Sequence, residues 1–220
     1  MSDTPHILTR RQTLGLTAGL TAGVLLTSIT NATASPEPST WQGRRTQNRW
    51  PVVDNTHTGT FRIEGTGVDV SLLKGDVATV LLYVARRFAY EIDMLRPGDV
   101  HGHTANRNVS AGFESNHLSG TAITIRPLFY PLRAQKGTGL TDLEKVVIAD
   151  ILAECQGVVG WGGHAEPVKE SHFQINVRPG DRRLGSLARR IRGEDADPGS
   201  GAGSIDPFIP SRRKKAAAYL

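Results

Sequence analysis

Between Gly75 and Pro97 apolar residues recur at helical spacing. Val77, Val80, Leu81, Val84, Phe88, Ile92 and Leu95 make one stripe, with Arg86, Arg87 and Glu91 off it. Asp76 is placed to cap the start, and Arg96-Pro97-Gly98 ends the run. A second helix opens on Thr141-Asp142-Leu143-Glu144, a capping box. Leu143, Val146, Val147, Ile148, Ile151 and Leu152 give it an apolar face, and Gly157 stops it.

Elsewhere the period drops to two. Thr60–Glu64 and Val68–Val70 read as short strands. After Gly120, Thr121, Ile123 and Ile125 share one strand face while Ala122 and Thr124 share the other. In the last strand Phe173, Ile175 and Val177 point one way and His172, Gln174 and Asn176 the other. Val158-Val159-Gly160-Trp161-Gly162-Gly163 reads as a buried strand running into a glycine turn.

The polar segments divide the chain. Thr9-Arg10-Arg11-Gln12-Thr13-Leu14 is a twin-arginine start, followed by a glycine-diluted apolar run from Leu14 to Leu26 and the small residues Ala32-Thr33-Ala34. Those are the three parts of an export signal, and residues 1–34 are expected to be removed on secretion by the twin-arginine route. The run is too short and glycine-rich for a membrane span, so none is expected after cleavage. Residues 35–49 are rich in Pro, Ser, Thr, Arg and Gln and read as a linker. A single domain over residues 50–180 follows. His101-Gly102-His103 falls in a polar connection over 97–116 and reads as a solvated loop. From residue 181 to 220 the chain reads as a basic, largely disordered tail, with a short basic helix allowed from Leu184 to Ile191.

Composition adds limits. The 220 residues are 38% hydrophobic and 21% charged, which is globular, and the formal charge is +5. Aromatic and basic residues do not interleave, so no nucleic-acid partner is expected. The basic tail suits attraction to an anionic wall polymer. Cys155 is the single cysteine, so no disulfide forms within the chain.

The candidate chemistry lies at two histidines. His117 sits in Ser115-Asn116-His117-Leu118-Ser119-Gly120-Thr121-Ala122, and His172 in Glu170-Ser171-His172-Phe173-Gln174-Ile175, each entering a strand. Two such imidazoles can face each other across a cleft and begin a metal site. The spacing Ser115-x-His117-x-x-Gly120-x-Ala122 resembles the first zinc motif of the D-alanyl-D-alanine carboxypeptidase and dipeptidase family, which includes the L-alanyl-D-glutamate peptidases of phage endolysins. Trp161-Gly162-Gly163 followed by His172-Phe173-Gln174-Ile175 resembles its second. Arg107 lies where that family places a substrate-binding arginine.

The resemblance covers about residues 50–180. It implies an α+β domain, with a small antiparallel sheet carrying zinc on one face and helices packed behind. It implies a cell-wall substrate, the peptidoglycan stem peptides, and a monomer. In that family two histidines and an aspartate hold the metal, and an acidic residue three positions before the last histidine deprotonates the zinc-bound water. The chain departs from this pattern twice. Thr124 stands in the aspartate position and Lys169 in that of the base. His164 is then the nearest substitute ligand and Glu170 the nearest substitute base. Three readings follow: a zinc peptidase using His117, His172 and a replacement ligand; a wall-binding relative without catalysis; and an interaction protein acting through its basic tail.

Overall fold

The computed structural model describes residues 37–135, 138–197 and 205–219. The export signal read over residues 1–34 lies outside the described residues. In chain order the elements are β1 (Ser39–Thr40), β2 (Thr58–Arg62), β3 (Asp69–Leu73), α1 (Asp76–Glu91), β4 (Val100–His101), β5 (Asn108–Val109), a 3-10 helix (Gly112–Ser119), β6 (Ala122–Ile125), α2 (Asp142–Glu154), β7 (Val159–Trp161), β8 (His172–Ile175), α3 (Arg182–Asp195) and α4 (Pro210–Ala216). The class is α+β. No helix among the described residues is long and apolar enough to cross a membrane.

The central sheet has the order β4-β6-β8-β7, antiparallel throughout. Alternation along its strands separates two environments. Ile123, Ile125, Phe173 and Ile175 are fully buried against Leu81, Val84 and Phe88 of α1 and Ile148 and Ile151 of α2. Each such side chain contributes about 1.5–3 kcal/mol by leaving water. The opposite face carries Ala122, Thr124, His172 and Gln174, in line with the period-two reading.

Both helices form where their stripes predict. Thr141 accepts from the Glu144 N–H at 3.3 Å, and Glu144 accepts from the Thr141 N–H at 2.6 Å, closing the capping box. Asp76 lies in the first turn of α1 rather than ahead of it, and Gly75 takes the cap position at φ 91°. Arg87, off the stripe in sequence, is fully buried: Asp150 of α2 receives its guanidinium at 2.7 Å and Glu91 neutralises it from the next turn.

Two segments differ from their sequence readings. Residues 35–49, read as a linker, contain β1, which pairs with β5, and two buried polar residues, Thr46 and Asn48. Asn48 donates to Thr121 Oγ1 at 2.8 Å and to the Ile175 carbonyl at 2.9 Å, tying this segment to the entry of β6 and the end of β8. Residues 181–220, read as a disordered tail, contain two helices. Leu184, Leu187, Ala188 and Ile191 form a buried stripe on α3 that packs on α1. On α4, Ala216 is buried against Ala149 and Ala153 of α2, and Arg212 binds Asp150 with two hydrogen bonds of 2.7 and 2.9 Å. Arg190 and Lys215 both reach Glu154. Much of the basic charge assigned to polymer attachment therefore fixes these helices to the domain. Cys155 is fully buried, and burial pushes its thiol up to about 12, so no thiolate nucleophile forms near neutral pH.

Candidate functional site

Three elements bring the two histidines together. His117 sits in the last turn of the 3-10 helix, which lies over the polar face of the sheet. That helix begins where the Glu114 carboxylate accepts from the Ser110 N–H at 2.8 Å. It ends at Gly120, whose φ of 65° and 2.6 Å approach of a would-be Cβ to the Leu73 N admit only glycine. The chain then enters β6. There Thr124 pairs in register with His172 of β8 on one side and His101 of β4 on the other.

The resulting geometry is tight. The rings of His117 and His172 lie edge to face, 5.3 Å apart. Nδ1 of His117 faces the Gly102 carbonyl at 2.8 Å and must carry the proton there. Its Nε2 is then an acceptor, and the Thr124 hydroxyl donates to it at 2.9 Å. Nε2 of His172 donates to Gln174 Oε1 at 3.0 Å. Its Nδ1 is buried and has no hydrogen-bond partner among the described residues. Phe113 covers the His172 ring at 4.8 Å between centroids.

Burial holds His117 down to about 4, with nearby Lys169 acting in the same direction and the Gly102 carbonyl opposing. His172 is held well below its ordinary value by burial and by His117 beside it. Both imidazoles are neutral at neutral pH. The unfolded chain takes up a proton near 6.5 and the folded chain does so only near 4. Stability from His117 is therefore complete above about 6.5 and falls as pH drops toward about 4, by about 3 kcal/mol in all. Denaturant unfolding across this range is expected to show that loss, and His117→Asn is expected to flatten it.

The other sequence candidates lie apart. Glu170 turns toward α2: its Oε2 accepts from the Leu140 N–H at 2.6 Å, and Oε1 pairs with Lys145 at 3.2 Å. It is not brought to the histidine pair as a base. Arg107 donates to the Trp41 carbonyl at 2.9 Å and holds the segment before the domain rather than a ligand. His164 is exposed and stands edge-on to Trp161 at 5.0 Å. Lys169, in the position of the base, reaches Glu114 Oε1 at 2.7 Å.

Two hollows flank the pair. A cleft of about 450 Å³ on the β4 side is lined by residues including Ser71, His101, His103, His117, Thr124 and Lys169. His101 and His103 thus belong to a cleft wall, where the sequence favoured a solvated loop over two rings on one strand face. A second hollow of about 630 Å³ on the β7 side takes in His172 and His164. Sequence reading did not select Gln174 and Glu114 as site residues. Gln174 shares the His172 face by its spacing of two, which was the available signal. Glu114 lies 55 residues from Lys169, and nothing local announces that pair.

A catalytic zinc centre of the implied kind needs three protein donors with open lone pairs. Here the open nitrogen of His117 is taken by Thr124, the bare nitrogen of His172 is sealed, and the third donor is a neutral hydroxyl. The residues present do not fit the three-ligand centre. Comparison with family models, with curated proteins and with solved structures finds no match for the chain.

Proposed function

We propose that this chain is an exported bacterial cell-wall protein, with a carboxypeptidase-like domain that binds peptidoglycan stem peptides without hydrolysing them. The order and spacing of the two histidine motifs support the family resemblance. The observation that carries the non-catalytic reading is the Thr124 hydroxyl seated 2.9 Å from His117 Nε2. It satisfies the nitrogen through which a metal would be held, and it supplies no charge. The occupied carboxylate of Glu170 supports the same reading, since it is turned to the Leu140 N–H and Lys145 and away from the pair.

What remains is a polar cleft with a cation at its edge. A peptide ending in D-alanine carries a carboxylate, and Lys169, which gives one of its three N–H groups to Glu114, has two more to offer it. His101, His103 and Ser71 offer further polar contacts along the same wall. The test is co-sedimentation of the full chain with purified wall sacculi, competed by a synthetic stem peptide ending in D-alanyl-D-alanine. Binding that the peptide displaces is expected, and Lys169→Gln is expected to weaken it about 10-fold or more. Failure to co-sediment, or a Lys169→Gln variant that binds as tightly, would overturn the assignment.

A further inference from the structure

The hollow on the β7 side differs in chemistry from the stem-peptide cleft. The chain has 26 lysines and arginines, and among the described residues none of them lines it. Glu166 is exposed at its rim. The lining therefore lacks the guanidinium or ammonium that favours a phosphate or carboxylate, His164 and His172 being its basic side chains. Its walls are instead three aromatic side chains, Phe113, Trp161 and Tyr219, and three amides, Gln47, Gln174 and Asn176.

The amides are arranged with donors to spare. Asn116, beneath them, donates to Gln47 Oε1 at 3.0 Å and to Gln174 Oε1 at 2.7 Å. Those bonds hold both carbonyl ends, while Gln174 Nε2 makes a single long contact of 3.5 Å, to Gln47 Oε1, and Gln47 Nε2 makes no hydrogen bond among the described residues. Asn176 is exposed, and its amide makes no hydrogen bond among the described residues. Apolar rings combined with a few fixed groups that both donate and accept suit a ligand with hydroxyl and amide edges and apolar faces. The volume of about 630 Å³ lies within the ordinary range for small-ligand clefts.

We infer that this hollow is a binding site for a neutral oligosaccharide carrying acetamido groups. It uses none of the residues lining the stem-peptide cleft and stands whether or not that cleft binds peptide. The test is calorimetric titration of the full chain with tri-N-acetylchitotriose, with cellotriose as the sugar lacking acetamido groups. The expected result is saturable binding at about 1 mM or tighter, with weaker binding of cellotriose. Asn176→Ala alters an exposed side chain and is expected to weaken binding about 5-fold at an unchanged melting temperature; Gln47→Ala is expected to weaken binding similarly and to lower the melting temperature, because buried Asn116 loses an acceptor. Absence of saturable binding, equal affinity for cellotriose, or affinity unmoved by both substitutions would overturn the inference.

Discussion

Thr124→Asp is expected to raise zinc affinity about 100-fold or more over the wild-type chain. Thr124 contributes a hydroxyl, a poor metal donor, to the row formed with His117 and His172, and its oxygen already stands at hydrogen-bond distance from His117 Nε2. A carboxylate of similar size there would face both imidazoles, since Thr124 and His172 are register partners and the two rings are 5.3 Å apart. Zinc would replace the hydrogen bond with two shorter bonds and neutralise the buried charge. The readout is the melting temperature with and without zinc, because a ligand held only by the folded state raises it. The variant should shift upward and the wild type should not. Without metal, the introduced carboxylate should favour protonated His117 and so reduce the acid-side loss of stability. Equal zinc response in both proteins would mean that Thr124 is not what sets this site apart.

Asp150→Ala is expected to remove about 3–5 kcal/mol of stability, the largest effect of any single substitution considered. Asp150 is 1% exposed and receives two guanidinium groups, Arg87 of α1 and Arg212 of α4. Its removal leaves Arg87, fully buried, with Glu91 as its remaining carboxylate. Arg212→Ala cuts the same network at its partly exposed end and is expected to cost only about 1 kcal/mol. Urea unfolding of the two variants separates them. Equal losses would show that the buried end contributes nothing beyond the exposed one.

Local pattern made α1, α2 and the two faces of β6 and β8 legible, because burial there is repetitive: one apolar stripe or one alternating row meets the core. It also made the histidine pair legible, since both residues enter strands whose polar faces turn out to be neighbours. What it hid was long-range polar matching. Arg87 looks solvated until Asp150, 63 residues later, arrives beside it. Thr46 and Asn48 look like linker residues until the end of the 3-10 helix supplies Ser119, the turn after it Thr121, and β8 the Ile175 carbonyl. The stripe of α3 runs Leu184, Leu187, Ala188, Ile191, a correct helical period, but it is narrow and surrounded by arginines that gain carboxylate partners only in the fold. Lys169 likewise shows in sequence only as the residue in the position of the base. The fold shows its partner in Glu114 of the 3-10 helix.

The cleft is proposed to hold stem peptide and leave it intact. The most direct measurement of this is mass spectrometry of the soluble fraction after wall sacculi are incubated with the wild-type chain in excess zinc. The expected result is protein retained on the sacculi with no D-alanine or stem peptide released beyond a sacculus-only control. Zinc-dependent release of either product would contradict it.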